Sequence, residues 1–387
     1  MDLELTTEQR NFKQVARAFL DREVIPHRAD WDRRESVDTD IIGKLGELGF
    51  FGITFPEEYG GSGGDNVMYA IAMEELGRAD SSVRGIVSVS SGLAGKIILA
   101  FGTEEQKQRW LPGICAGTTL ACFGLTEPDY GSDPGSLATS AVRDGSDYVL
   151  NGQKMFITNA SWSQLCVVFA RTGRPGPKGV SAFLVPLDSP GVETREIHGK
   201  LGLRGQVTSE IFLRDVRVPA DAMLGDEGQG FAIAMYSLDK GRVSVGAGCV
   251  GIMQGCLESA VQYATERTQF GRPLAAFQLV QAMIADISTE TDVARLLVWR
   301  AADLIDRGEP FGTEASKAKL YASEAAVRAA NQAVQVFGGY GYVDDYPAQK
   351  YLRDARVMTL YEGTSQIQRL LIGRAETGVS AFLSPAT

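Results

Sequence analysis

The sequence predicts an α+β protein of several domains, in which helical first and last parts flank a central domain of antiparallel strands. Three observations predict this fold class. The 387 residues exceed the usual size of one domain, apolar residues at helical spacing fill both ends, and short β-branched runs separated by turn dipeptides fill the middle. We therefore place domains at residues 1–121, 122–230 and 231–387.

The first part has the apolar spacing of amphipathic helices. Thr7 is a candidate N-cap, and Phe12, Val15 and Phe19 recur three and four residues apart. A loop rich in Gly and Pro over residues 56–64 interrupts the pattern, which then resumes. This part is therefore predicted to be a set of helices.

The middle part has the turns and strands of a β-domain. The dipeptides Asp144-Gly145 and Asn151-Gly152 predict hairpin turns, with YVL between them and KMFIT after them. Further candidate strands begin at Leu165, Val180 and Ser209. No helical pattern separates them, so we predict a compact antiparallel domain.

The last part returns to the helical period after Gly230 and holds it almost to the end, with Gly338 as a candidate C-cap. The pattern GxGxxG occurs at Gly246, Gly248 and Gly251. A dinucleotide-binding loop would follow a strand, whereas these glycines lie inside a long helical run. We interpret them as small residues that let another helix approach closely.

Composition excludes several classes of partner. The net charge of −10 and the pI near 5.0 provide no general basic surface, so no nucleic-acid partner is expected. No run of ~18 apolar residues and no leader-like start are evident, so we expect no membrane insertion. Five cysteines without a CxxC pair indicate a reducing compartment, and we predict a cytoplasmic location.

The chemistry available is limited by the histidines, of which there are two, His27 and His198. They are far apart in sequence, which gives little material for a metal site or a serine–histidine triad. We therefore expect no metal. A catalytic base, if one exists, is predicted to be a carboxylate.

Two segments around the central domain could bind a planar ligand. GLTEPDYGSDPGS, over residues 124–136, combines hydroxyls with glycines as a polar ligand site needs, although a turn-rich linker would look similar. In KMFITN, strand alternation places Phe156 and Thr158 on one face, where a ring and a hydroxyl could meet one heterocycle. An ordinary half-buried strand is the alternative.

Two segments of the helical last part offer polar groups. ERTQFGRPLAAFQ supplies Arg267, Phe270 and Gln278, which suit a pyrophosphate and an adenosine, although a salt-bridged helix end also explains the Arg. YEGTSQIQR places Glu362 beside Gly363 in a turn that leads into a helix. A solvated residue at a helix start is the alternative for Glu362.

Taken together and in this order, the motifs resemble the acyl-CoA dehydrogenase family over essentially the whole chain. The segments that carry the resemblance are GLTEPDYGSD, KMFITN, LDKGR from Leu238, ERTQFGRPL, QVFGGYGY from Gln335, and YEGTSQIQR. The resemblance implies a β-barrel for the middle domain, a four-helix bundle for the last one, bound FAD, a homotetramer, and an electron-transfer flavoprotein as electron acceptor.

The resemblance also implies a set of cofactor contacts. Those expected to meet FAD are Phe123, Leu125, Thr126, Ser132, Phe156, Ile157, Thr158, Arg267, Phe270, Gln278, Gln335, Gly339, Thr364 and Gln366. Of these, Arg267, Phe270, Gln278, Gln335 and Gly339 would reach the FAD of a neighbouring subunit. One site would therefore require two chains.

For the reaction, the resemblance implies α,β-dehydrogenation of an acyl thioester to the trans-2-enoyl thioester, with Glu362 as the base that removes the α-proton. Some members carry the carboxylate at the position that is Gly241 here, which has no side chain. The substrate contacts it implies are Ser132, Asp239, Arg242 and Gly363. A salt-bridged surface turn is the alternative for Asp239 and Arg242.

The motifs indicate the acyl group of the substrate less clearly than they indicate the reaction. Arg84 matches an Arg of glutaryl-type members that pairs with a distal carboxylate, while Gly85 departs from their Ser. The alternative for Arg84 is a surface or intersubunit salt bridge beside a short-chain acyl site. CoA and acyl carrier protein both remain possible carriers. The rival functions are an acyl-CoA oxidase, a glutaryl-type dehydrogenase with or without decarboxylation, and a non-catalytic helical interaction protein.

Overall fold

The computed structural model describes residues 4–382 and begins with helices. Thr6, rather than the predicted Thr7, caps the first of them, because its hydroxyl accepts from Gln9 N and the Gln9 side chain returns to Thr6 N. The helices of this part are α1 Thr7–Glu23, α2 Arg28–Arg34, α3 Asp40–Glu47, α4 Asn66–Ala79, α5 Ser81–Val87, α6 Lys96–Phe101 and α7 Glu104–Cys115.

A π-helical segment, Ser88–Gly95, joins α5 to α6 in one continuous helical run. This run, Ser81–Phe101, is long and apolar enough to cross a membrane by those two criteria alone, although the sequence predicted no such segment. Most of it is buried inside the protein, as expected of a core helix. It lies between the helical first part and the central sheet, since Ser90 Oγ accepts from Ala121 N.

The central domain is one sheet of eight strands. They are β1 Ala121–Gly124, β2 Ser140–Asp144, β3 Asp147–Thr158, β4 Leu165–Arg171, β5 Val180–Pro186, β6 Val192–Glu196, β7 Thr208–Pro219 and β8 Met223–Leu224. The order is β6-β7-β3-β2-β4-β5-β8, with β1 on β4. Successive residues of β4 enter two different cores, Val167 and Phe169 on the helical side and Cys166 and Val168 on the other. Both faces of β4 are thus buried.

The sheet curls round on itself, which confirms the barrel-like form. The ring centroids of Tyr148 in β3 and Phe183 in β5 are 5.1 Å apart, although strands β2 and β4 lie between β3 and β5 in the ladder. In a flat sheet three strand spacings would separate them by about 14 Å. Within residues 4–382 the ladder has two ends, β6 and β8, so its hydrogen bonding does not close.

Two expectations for this domain are wrong. The sheet is not purely antiparallel, because β1 pairs with β4 in parallel and β2 meets β4 in parallel at Ser140 and Arg171. Asp144-Gly145 does turn between β2 and β3, but Asn151-Gly152 lies within β3 at an irregularity of its pairing with β7. A Cβ at Gly152 would overlap Thr139, so this Gly allows a close approach rather than a turn.

The last part is helical again, and three of the helices in its predicted bundle are much longer than the others. The helices are α8 Gly230–Glu266, α9 Gln278–Asp306, α10 Gly312–Phe337, α11 Ala348–Met358 and α12 Ser365–Thr377. A two-stranded hairpin precedes α9, β9 Thr268–Gln269 and β10 Arg272–Pro273. Gly338 ends α10 at a φ of 61°, as predicted. The GxGxxG segment lies within α8, where a Cβ at Gly251 would overlap Glu74 O of α4, which confirms close helix packing.

A buried ion cluster fastens the three parts together. Lys350 Nζ of α11 lies 3.1 Å from Asp80 Oδ2, at the start of α5, and 2.6 Å from Asp354 Oδ2. Asp354 Oδ1 accepts from Leu203 N, in the loop before β7, at 2.7 Å. The two carboxylates hold the pKa of Lys350 above its usual range against the effect of burial. The cluster therefore stabilises the junction of all three parts.

Replacing Lys350 tests this junction. Lys350→Met leaves two buried carboxylates without their cation, and we expect the free energy of unfolding to fall by ~3–5 kcal/mol. Lys317→Met is the matched control, because Lys317 pairs with Glu376 at the surface, where an ion pair contributes ~0–1 kcal/mol. Urea unfolding followed by circular dichroism measures both. Equal stabilities of the two variants would contradict the proposed role of the cluster.

Candidate active site

Glu362 lies in the turn between α11 and α12. Its φ is 51° and that of Gly363 is 89°, so two successive residues adopt the left-handed conformation. This conformation costs about 1–2 kcal/mol for a residue other than Gly, and it is found where surrounding contacts enforce it. Thr364, the N-cap of α12, accepts from Ile367 N at 3.2 Å. Its hydroxyl therefore fixes the helix start beside the turn.

Gly241 of α8 provides the space for the Glu362 carboxylate. A Cβ at position 241 would overlap Glu362 Oε2 and would lie 2.8 Å from Leu93 Cδ2. The two family positions for a base, 241 and 362, therefore face the same point in this chain. The absence of a side chain at 241 and the presence of Glu at 362 are sterically linked.

The Glu362 side chain is half buried beside Gly241 of α8. Its Oε2 is buried and has no hydrogen-bond partner within residues 4–382. Burial raises its pKa, and the charges of Arg84, Lys319 and Arg242 oppose that rise. A carboxylate with a raised pKa is a stronger proton acceptor. The alternative of a solvated helix-start residue is wrong.

Arg84 of α5 is buried beside this turn, at 1% exposure. Its Nη2 donates to the hydroxyl of Tyr361 at 2.7 Å, and its Nε and Nη1 have no partner in the described part of the chain. A Cβ at Gly248 would overlap Arg84 Cδ, so the small residues of α8 make room for this side chain as well. Its burial excludes a salt bridge at the surface of this chain.

Asp239 and Arg242 form an ion pair on α8, in which Arg242 Nη1 donates to Asp239 Oδ1. The Arg side chain is 7% exposed and the Asp side chain 36%. The pair therefore reaches from the surface towards Glu362, whose charge acts on Arg242. The predicted contacts lie within a helix, so a surface turn is the wrong description.

Strand β3, which carries Phe156 and Thr158, contains a bulge. The pairing of β3 with β7 shifts between Lys154 and Ile157, and Phe156 has a φ of 60°. The Phe156 side chain is 63% exposed, whereas Ile157 is buried in the core of the sheet. Phe156 and Thr158 are both more exposed than Ile157 between them, as alternation predicts, and the bulge lies at this point of the strand. Ile157 thus supports the strand through packing.

The loop of residues 124–136 is fastened to the same strand. Met155 N donates to Thr126 O at 2.8 Å, and Lys154 Nζ lies 2.7 Å from Glu127 Oε1. Glu127 also accepts from the backbone N–H groups of Ala138 and Thr139. The motif therefore forms an anchored loop, and the turn-rich linker is excluded.

The residues of this loop and strand fit a flavin. The exposed ring of Phe156 and the half-buried hydroxyls of Thr126 and Thr158 offer an aromatic face and hydrogen-bonding groups on two adjoining segments. Gln206 Nε2 contacts Thr158 Oγ1 at 3.5 Å, and its buried Oε1 has no partner in the described residues. Ser132 is exposed on the loop, Leu125 is buried, and Phe123 packs on Phe169.

A second group of predicted residues is not brought to Glu362 within one chain. Its members are exposed: Arg267, Phe270, Gln278, Gln335 and Gly339. Lys319 of α10 touches the turn, and Gln335 follows it by about 24 Å along the same helix. Arg267 lies over the ring of Tyr340 at 5.6 Å, which brings it beside the loop that holds Gly339. Gln366 is exposed at the start of α12.

Sequence reasoning missed two residues beneath the turn, Lys319 and Gln368. Lys319 is fully buried and donates to Gly363 O at 2.8 Å. Gln368, also fully buried, donates to the carbonyls of Glu362 and Gly363 at 3.2 and 3.1 Å. A lysine on the alanine-rich buried face of α10 was the available signal. Among residues 4–382 no group of three or more His, Cys, Asp or Glu could hold a metal ion.

Models of the acyl-CoA dehydrogenase N-terminal, middle and C-terminal domains match residues 6–118, 122–216 and 228–377. A probable acyl-CoA dehydrogenase of Bacillus subtilis is 46% identical and covers 97% of this chain and 99% of its own. Butyryl-CoA dehydrogenase from Megasphaera elsdenii is 40% identical, with a TM-score of 0.95 over 97% of this chain and 100% of that one.

A glutaryl-CoA dehydrogenase from Mycobacterium smegmatis, solved in complex with FADH2, is 36% identical, with a TM-score of 0.94 over 98% of this chain and 97% of that one. The three domain models together cover nearly the whole chain, in the order of its helical, sheet and helical parts. The chain therefore belongs to the acyl-CoA dehydrogenase family and is an FAD-dependent oxidoreductase that acts on acyl-CoA thioesters.

Proposed function

We propose that Glu362 is the base of this acyl-CoA dehydrogenase. The observation that carries the proposal is one oxygen of its half-buried side chain: Oε2 is buried, has no hydrogen-bond partner in the described residues and occupies the space left by Gly241. A carboxylate bound to a permanent partner would be a poorer proton acceptor. This one is free to take a proton from a substrate.

In the reaction, Glu362 removes the proton from the carbon next to the thioester carbonyl, and the C–H electrons form the new double bond as the β-hydrogen leaves with its electron pair. Bound FAD supplies the acceptor for that hydride. The Glu362 backbone N–H donates to the thioester oxygen and stabilises the developing enolate charge. Asp239 and Arg242 hold the pantetheine arm, and Gly363 lets the substrate pass close to the base.

Glu362→Gln tests the base. The amide keeps the shape but cannot accept the proton, so anaerobic bleaching of the flavin by butyryl-CoA should slow at least ~10²-fold while FAD stays bound. Stopped-flow absorbance measures the rate, and the visible spectrum of the purified protein reports FAD. Glu309→Gln, at an exposed position, is the matched control and should bleach at the wild-type rate. Wild-type bleaching by Glu362→Gln would refute the assignment.

We propose further that the acyl group has a polar or carboxylate end that meets Arg84. A buried guanidinium with two unpaired nitrogens, Nε and Nη1, is costly unless a ligand accepts their hydrogen bonds. Arg84 contacts Tyr361, the neighbour of the base, so such a ligand would lie close to the reacting carbons. A fork of N–H donors suits a carboxylate in particular. The alternative is that Arg84 serves as a counter-charge to Glu362 beside a short unbranched acyl chain.

A thioester panel distinguishes these alternatives. If Arg84 binds the acyl group, glutaryl-CoA should bleach the wild-type flavin, and Arg84→Gln should lose ~10- to 100-fold for glutaryl-CoA relative to butyryl-CoA, the range for a hydrogen bond to a charged group. Anaerobic titration and stopped-flow rates give the ratio. No bleaching by glutaryl-CoA, with equal losses for both thioesters in Arg84→Gln, would make Arg84 a counter-charge.

We propose that the active protein is a homotetramer in which the exposed second group, including Arg267 and Gln335, contacts a neighbouring subunit's FAD. Phe270 at 93% exposure and Tyr342 at 85% support this, because large exposed aromatic side chains mark interaction surfaces. Light scattering should give four times the chain mass of 41.7 kDa.

For the electron acceptor we propose an electron-transfer flavoprotein, and peroxide release during turnover would instead indicate an oxidase. An acyl carrier protein stays a possible alternative to CoA as the carrier of the acyl group. The cytoplasmic location stays a prediction. The location is supported by the five free, buried cysteines.

A further inference from the structure

The turn that carries Glu362 is held from below by a lysine. Lys319 of α10 is among the largest fully buried side chains, and its Nζ donates to Gly363 O at 2.8 Å. The amide of Gln368 donates to that same carbonyl and to the carbonyl of Glu362. Two successive backbone carbonyls of a left-handed turn are therefore bound by two buried side chains. We call this pair, Lys319 and Gln368, the carbonyl clamp.

The clamp explains how the strained turn persists. A residue other than Gly at a positive φ needs surrounding contacts that over-determine it, and Glu362 is such a residue. Gln368 reaches back from α12, whereas Lys319 comes from a different helix, so the turn is tied both to its own helix and to α10. The direction of the Glu362 side chain follows from this backbone geometry.

Lys319 differs from Gln368 because it also brings charge. Its ammonium acts on Glu362 and favours the ionised carboxylate. Burial lowers the pKa of Lys319 to about 8, so the side chain is mostly protonated at neutral pH. The groups that act on Lys319 are Cys249 and Arg242 of α8, Glu362 of the turn, and Glu324 of its own helix.

The other groups around Glu362 do not duplicate this contact. Those that act on it or feel its charge are Arg84 of α5, Arg242 of α8, Tyr69 of α4 and Tyr361 of the turn. Arg84 donates to a tyrosine hydroxyl and Arg242 to Asp239, so neither is bound to the backbone of the turn in the described hydrogen bonds. Lys319 alone among these cations combines a backbone contact with a charge.

We propose that Lys319 is a positioning residue for the catalytic base: its ammonium fixes the Gly363 carbonyl and its charge keeps the neighbouring Glu362 carboxylate ionised and ready to accept a proton. This inference rests on the proposed role of Glu362. It assigns Lys319 no contact with substrate or flavin. A purely structural lysine would instead hold α10 and α12 together without affecting proton transfer.

The test is the pH profile of flavin bleaching by butyryl-CoA in the purified holoenzyme. Removing the charge in Lys319→Met makes the ionised carboxylate less stable, so the pKa of Glu362 rises. The limb of the profile that rises with pH should then move up by about one pH unit, which lowers the rate roughly 10-fold at any pH on that limb. Lys319→Arg keeps the charge and should restore most of the profile.

Two further variants separate charge from geometry. Gln368→Leu removes only the amide half of the carbonyl clamp, and we expect slower bleaching at every pH without a shift of the profile. Lys317→Met, the same change on the outer face of α10, should behave as wild type. The visible spectrum of each variant confirms that FAD is retained.

An unshifted profile in Lys319→Met would overturn the proposal and leave Lys319 a packing residue. If Lys319→Met does not fold, the pH profile of Lys319→Arg and the bleaching rate of Gln368→Leu test the proposal instead. A wild-type bleaching rate in Gln368→Leu would show that the carbonyl clamp does not position the base. Failure of the base assignment is seen separately, as wild-type bleaching by Glu362→Gln.

Discussion

The proposed active site depends on a carboxylate with one buried oxygen, Oε2, that is not bound to a permanent partner. Glu362 needs room, which Gly241 provides, and a backbone turned to the left-handed region, which the neighbouring helices hold. A buried anion is costly, so cations must lie near it, yet a direct salt bridge would reduce its basicity. The structure meets both demands by binding the nearby cations to other acceptors, such as Tyr361 for Arg84.

Much of the surrounding architecture follows from that demand. The small residues of α8 let Arg84 and α4 approach closely. In the sheet, the Glu127–Lys154 pair fastens the loop of residues 124–136 to the bulged strand β3. The ion cluster of Lys350 holds the junction of the three parts of the chain.

Local patterns were enough to predict the helical–sheet–helical order, the helix around GxGxxG and the motif segments of the site. Four features could not be predicted from local sequence patterns. The bulge at Phe156 and the irregularity at Gly152 depend on pairing with β7, and the parallel pairing of β1 depends on how the sheet curls. The contact of Lys319 with Gly363 joins distant positions, and a single buried lysine leaves almost no trace in a periodic pattern.

The π-helical segment Ser88–Gly95 sets how the side chains before it are rotated about the helix axis relative to the side chains after it. Each residue of an α-helix turns the chain by about 100°, so a segment with wider turns changes which side chains share a face. Arg84 precedes the segment and contacts Tyr361 beside the Glu362 turn, whereas Ile97 and Ile98 follow it and pack in the core under the sheet. Loss of one residue between them would rotate one end of the run relative to the other. Such a deletion would displace Arg84 from the turn while Ile97 and Ile98 stay in the core.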